Sequence, residues 1–124
     1  MSSTLRVTNV SDTTGGTSTN LMSGLAKSWA DFDGTGTPAY NDSFNHSSLT
    51  DLGTGYYRLL FSASKSSSNY AAHGTSTVGT SNRPDQTRTI SKAVGSYEYW
   101  HAEDEPAAAA DVSVNNGTSF GDLA

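Results

Sequence analysis

Short alternating segments cut by glycine–threonine corners set the strongest limit on what this chain can fold into. The clearest is Tyr56-Tyr57-Arg58-Leu59-Leu60-Phe61-Ser62, entered from Gly53-Thr54-Gly55. Side chains alternate across a strand, so Tyr57, Leu59 and Phe61 share one face and Tyr56, Arg58, Leu60 and Ser62 the other. The Tyr57 face is the expected core.

Leu5 to Val10 alternates in the same way before the turn residues of Asp12 to Thr17. It reads as an arm or edge strand, giving an N-terminal arm over residues 1–24 and one sandwich domain over residues 25–124. Ser28 to Phe32, Ala39 to Asn45, Tyr70 to His73, Thr87 to Ala93, Ser96 to Ala102 and Asp111 to Val114 read as further strands. Within Ala39 to Asn45, Tyr40, Asp42 and Phe44 are expected on one face. Gly74 to Asp85 reads as a loop and Asn115-Asn116-Gly117 as a turn. Short strands spaced by turn signals predict an all-β fold, an antiparallel β-sandwich or a jelly-roll-like barrel with an N-terminal arm.

Composition agrees. Hydrophobic residues make up 34% and charged residues 15% of the 124, both below the usual share. The difference is taken up by 20 Ser, 16 Thr, 12 Gly and 8 Asn, residues that favour strands, turns and hydrogen-bonding surfaces. A core this small, with no cysteine to staple it, offers modest stability, so self-association into a trimer or larger oligomer is expected. The formal charge of −5 and only seven scattered Lys and Arg argue against a nucleic-acid partner. No long apolar run and no basic-then-apolar segment after Met1 are present, so neither membrane insertion nor ordinary secretion is expected, and synthesis in a cytosol is. The lack of cysteine removes thiolate chemistry and disulfides, and no cofactor is expected.

The runs Lys27-Ser28-Trp29-Ala30-Asp31-Phe32-Asp33-Gly34-Thr35-Gly36-Thr37 and Asp42-Ser43-Phe44-Asn45-His46-Ser47-Ser48-Leu49-Thr50-Asp51-Leu52-Gly53-Thr54-Gly55-Tyr56-Tyr57 carry a resemblance. They resemble a family of tailed-bacteriophage tail fibre and virion surface (decoration) proteins common in marine phages. That family carries Trp, a Phe-centred N/D-Gly-Thr-Gly-Thr loop, and a Ser-Phe-Asn-x-Ser-Ser-x-x-Asp-x-Gly-Thr-Gly run. The match is close over residues 25–61; Leu5-Arg6-Val7 and Phe120-Gly121-Asp122-Leu123 are similar but less specific. The chain departs from the pattern in having Asp31 and Asp33 where Asn is common, and in its middle, Ser62 to Ala93. The resemblance implies a β-rich, commonly trimeric module on the virion surface, made in the host cytoplasm, that attaches to other virion proteins or to the host surface.

The same residues have a reading of their own. Gly34, Gly36, Gly53 and Gly55 permit positive φ, so both Gly-Thr-Gly stretches are turn devices with Thr hydroxyls closing local hydrogen bonds. Trp29, Phe32, Phe44 and Tyr57 are expected to pack across the sheets as the main apolar mass, about 2–3 kcal/mol for each buried ring.

Asp31, Asp33, Asp42 and Asp51 lie near these loops, where carboxylates suit calcium, but their spacing is not that of an EF-hand and Asp is an ordinary turn residue. His46, His73 and His101 match no metal or triad motif, and read as surface or edge residues. Asn9, Asn41, Asn45 and Asn116 begin glycosylation-type triplets that a chain rich in Asn, Ser and Thr generates at random.

Tyr97, Tyr99 and Trp100, beside Glu98, Glu103, Asp104 and Glu105, are the candidate interface or ligand surface, because aromatics flanked by carboxylates suit sugars and proteins alike. Tyr97 and Tyr99 share a face and also fit a core. Leu5 and Val7 are the candidate arm contacts. No pair of catalytic groups stands out, so no enzyme is expected. The expected function is that of a phage structural component, a tail fibre subunit or capsid decoration (cement) protein acting through protein–protein contacts. The alternative is a receptor-binding tip that recognises host surface carbohydrate through tyrosines and the Gly74 to Asp85 loop.

Overall fold

The computed structural model describes residues 3–11, 18–20, 24–76, 86–103 and 108–124. Strands β1 (Asn9–Ser11) and β2 (Ser18–Asn20) pair with each other. The rest build two antiparallel sheets. The back sheet has the order β4-β3-β11-β7, from β3 (Ser28–Asp33), β4 (Ala39–Phe44), β7 (Ala72–Ser76) and β11 (Asn115–Ser119). The front sheet is built from β5 (His46–Gly53), β6 (Tyr56–Phe61), β8 (Gln86–Ala93), β9 (Ser96–Glu103) and the short β10 (Ala108–Ala109). In it β9 lies between β6 and β8, and β5 flanks β6. The two sheets pack as an open sandwich, and no barrel closes.

One residue carries the chain from the back sheet to the front. Asn45 takes a φ of 58°, a left-handed conformation that Asn tolerates. Its side chain holds the corner: Nδ2 donates to the carbonyls of Lys27 (3.0 Å) and Ala63 (3.1 Å), and Oδ1 accepts the Ala63 amide at 2.6 Å. The next corner, between β5 and β6, uses Gly53 and Gly55 at φ 138° and 65°, as the Gly-Thr-Gly reading predicts. Gly34 serves a different purpose. It does not take positive φ; a Cβ there would lie 2.3 Å from the Tyr57 hydroxyl oxygen, so the glycine makes room.

The core is aromatic. Phe32 and Ala30 of the back sheet meet Tyr57, Leu59, Phe61, Tyr97 and Tyr99 of the front sheet, with Tyr70 closing one end. The Tyr57 face of β6 is the buried one, as its alternation predicts. Phe32 packs edge-on against Tyr57 and Tyr99, with centroids 5.3 and 5.6 Å away, the geometry that aromatic quadrupoles favour. Large rings on the front sheet leave little depth behind them, and the back sheet answers with small residues. Gly74 and Gly117 are cross-strand partners, and a Cβ on either would stand 2.1 Å from the Tyr99 ring or 2.3 Å from the Tyr97 hydroxyl. Asn115-Asn116-Gly117, expected as a turn, is therefore part of a strand: its glycine serves close approach between the sheets.

Two expected core residues lie outside. Trp29 and Phe44 are 40% and 52% exposed. Trp29 is three residues from Phe32, so a strand places the two on opposite faces. Phe44 is displaced by a bulge. Phe32 pairs with Tyr40 but Asp31 pairs with Asp42, leaving Asn41 as an extra residue that reverses the alternation. Tyr40 points inward and donates its hydroxyl to the Ser48 carbonyl, while Asp42 and Phe44 face out.

The side of the sandwich between β7 and β8 is stitched by side chains. Thr87 Oγ1 donates to the Gly74 carbonyl (2.6 Å), Thr89 Oγ1 to Ala72 (2.9 Å) and Lys92 Nζ to Tyr70 (2.6 Å). Alternate carbonyls along the outer edge of β7 and the segment leading into it thereby gain donors without a paired strand. The weak alternation of β8, with threonines opposite charged residues, is what this edge requires. Of the expected loop at Gly74 to Asp85, Gly74 to Ser76 belong to β7 and the remainder lies outside the described residues.

Candidate interaction faces

Interior positions are closed to partners. Tyr97 and Tyr99, candidates for an interface or ligand surface, are fully buried between the sheets, because odd positions of β9 face inward. Trp100 has the opposite parity and stands on the outer face of the front sheet.

There the register aligns Arg88, Trp100 and Tyr56 in one row across β8, β9 and β6. The Arg88 guanidinium lies over the Trp100 ring at 5.0 Å, a cation–π contact. The next row brings Glu98 beside Arg58, joined at 2.7 Å, and Tyr56 donates its hydroxyl to the same carboxylate at 2.5 Å. These bonds, Tyr56 first, hold the Glu98 carboxyl below its ordinary pKa and push the Tyr56 phenol above its own. A bulge between Thr89 and Ser91 leaves Ile90 unpaired and 52% exposed, and with Ala71, Ala72, Thr89 and Lys92 it lines a shallow groove of about 320 Å³ where β8 faces β7. Tyr56 and Arg58 were readable as the outer face of β6; Arg88 and Ile90 needed the register of β8 against β9.

The outer face of the back sheet has a different chemistry. Phe44, Trp29, Thr118 and His73 form one row across β4, β3, β11 and β7, and Phe120 stacks on His73 with ring planes 12° apart. The adjacent row is Asp42, Asp31, Asn116 and Thr75. Asp31 and Asp42 are direct cross-strand partners, a like-charge pairing that costs stability. The Asn41 amide donates to Asp31 at 3.3 Å, and none of the four strands carries a Lys or Arg.

The remaining candidates divide. Asp33 accepts the amide and hydroxyl of Thr35 at 2.8 and 2.7 Å, which lowers its pKa, and Asp51 accepts the Gly53 amide at 2.9 Å; both serve turns. Among the described residues no three His, Asp or Glu side chains gather as a metal ion would need. The histidines are not all at the surface. His101 is fully buried, its Nδ1 2.6 Å from Ser76 Oγ, and His46 packs at 5.5 Å from Phe61 and 6.0 Å from Tyr97. Only His73 is exposed. Leu5 is 84% and Val7 38% exposed, and Glu103, Asp104 and Glu105 have side chains outside the described residues. Comparison with protein-family models, curated proteins and solved structures finds no match for this chain.

Proposed function

We propose that this chain is a non-enzymatic structural module of a tailed-phage particle, a tail fibre subunit or capsid decoration protein on the virion surface. It works by binding other virion proteins, including copies of itself. The observation that carries this reading is the row Arg88–Trp100–Tyr56 on the outer face of the front sheet. Trp, Tyr and Arg on a rigid, partly exposed face are the residues in which binding energy at protein interfaces concentrates. The exposed Leu5 and Val7 give the arm a second contact. The resemblance over residues 25–61 supplies the phage setting.

Particles assembled with Trp100→Ala are expected to incorporate the chain at least about tenfold less than parent particles, in line with a hot-spot loss of about 2 kcal/mol. Incorporation at the parent level, measured by quantitative mass spectrometry of purified particles, would overturn the reading. Copy number from the same measurement separates the settings: hundreds mean capsid decoration and a few to tens mean a fibre. The second reading, a carbohydrate-recognising tip, draws on the exposed Trp29 and Phe44 rings beside Asp31 and Asp42.

A further inference from the structure

The two outer faces differ in charge and share a pattern. The back-sheet face carries Asp31, Asp33 and Asp42, with His73 as the basic side chain of its strands and no Lys or Arg in them. The front-sheet face carries Arg58 and Arg88 against Glu98. Each presents an aromatic pair on neighbouring strands, the exposed Trp29 with Phe44 on one and the half-buried Trp100 with Tyr56 on the other. On each, a row holding charged side chains lies two residues along the strands, about 7 Å away.

Asp31 accepts the Asn41 side-chain amide at 3.3 Å and Asp42 accepts the Ser43 backbone amide at 2.8 Å, neutral donors that leave the like-charge pair uncompensated. The pair lowers the stability of the isolated chain, and a partner bringing positive charge to that face would relieve it. A neutral sugar would stack on the rings and leave the carboxylates facing each other. A guanidinium would compensate them.

We infer that the back-sheet face of one copy binds the front-sheet face of another, the Trp29–Phe44 pair packing on the Trp100–Tyr56 row with Arg88 directed at Asp31 and Asp42. This deepens the proposed function and rests on the reading of the Trp100 face as protein-binding. Because the two patches are different, the contact is heterologous: each copy offers one used and one open face, and the assembly closes as a ring or continues as a stack. The contact area is that of one small sheet face, so a single contact is weak and the closed or extended array is what persists.

Charge exchange tests this directly. Asp42 and Arg88 are exposed, so Asp42→Arg and Arg88→Glu are compatible with folding, which circular dichroism verifies. In sedimentation velocity of the purified full chain at low salt, the parent is expected to associate with rising concentration. Each single variant needs at least about tenfold higher concentration to do so. A one-to-one mixture of the two variants, and the double variant D42R/R88E, regain parental association, because every contact again joins an acidic group to a basic one. A parent that stays monomeric, single variants that associate like the parent, or a mixture that fails to recover would each overturn the inference. So would glycan-array binding by the parent that Asp42→Arg abolishes while association is unchanged; the face would then belong to a carbohydrate. Loss of particle incorporation in Trp100→Ala alongside unaltered association in Asp42→Arg would remove this pairing of faces and leave the proposed function standing.

Discussion

Gly117 sits beneath Tyr97 so closely that a Cβ at position 117 would stand 2.3 Å from the phenolic oxygen. That oxygen is buried and has no hydrogen-bond partner. The hydroxyl therefore crowds the site without contributing a bond, and the two residues are coupled. Gly117→Ala is expected to cost about 2–3 kcal/mol through overpacking. Tyr97→Phe is expected to be neutral or stabilising by up to about 1 kcal/mol, since it removes an unsatisfied polar group. The double variant should recover most of the Gly117→Ala loss. Urea denaturation of the four proteins checks this double-mutant cycle; simple additivity would refute the coupling.

A second pair ties the ends of the sheets. Asp111 accepts the Tyr57 hydroxyl at 2.6 Å and the Gly55 amide at 2.7 Å, and the Tyr57 hydroxyl also reaches the Gly34 carbonyl at 3.1 Å. Asp111→Ala leaves the buried Gly55 amide without its acceptor and is expected to cost about 1–3 kcal/mol. Thermal unfolding checks it, and a melting temperature unchanged from the parent would show that another acceptor takes over.

His46 makes stability depend on acidity. Both ring nitrogens are buried, and burial, opposed by a contact with the Leu60 backbone and aided by Lys65, drives the pKa from 6.5 down to about 4. The unfolded chain binds the proton first, so stability is full above pH 6.5, falls as pH drops toward 4, and levels off below that. Partial exposure of the ring trims the effect to on the order of 1–2 kcal/mol. Denaturation midpoints from pH 7 to pH 4 should show the decline, and His46→Gln should flatten it.

Lys65 is 2% exposed, its ammonium without a hydrogen-bond acceptor but set over the rings of Phe61 and Tyr70 at 4.9 and 5.5 Å. Burial, aided by Lys27, lowers its pKa to about 8. Lys65→Met keeps the volume and removes the charge; it is expected to stabilise the fold by about 1 kcal/mol at pH 7. The parent gains stability as pH rises from 8 toward 10.5, where the folded chain has shed the proton and the unfolded chain still holds it. The advantage of the variant should shrink over that interval, as calorimetry at pH 7 and pH 10 would register.

What the sequence made legible was local. Tyr57, Leu59 and Phe61 announce a buried strand face because nothing interrupts their alternation. The two Gly-Thr-Gly runs announce corners because positive φ favours glycine, as at Gly36, Gly53 and Gly55. What stayed hidden depends on a partner strand or on the opposite sheet. Nothing in Ala39 to Phe44 says that Asn41 will bulge against β3, yet that one residue turns Phe44 from the core to the surface. Nothing in Asn115-Asn116-Gly117 says that rings from the other sheet need its missing side chain. The charged outer faces were hidden for the same reason: Asp31 meets Asp42, and Arg88 meets Trp100, only once register is set.

Thr87, Thr89 and Lys92 donate to alternate carbonyls along the margin of β7 and the segment leading into it. A strand-rich protein risks polymerising through backbone pairing, with any bare margin acting as a template. Occupied oxygens are poor templates, so the side chains of β8 guard this margin against backbone pairing with a second chain.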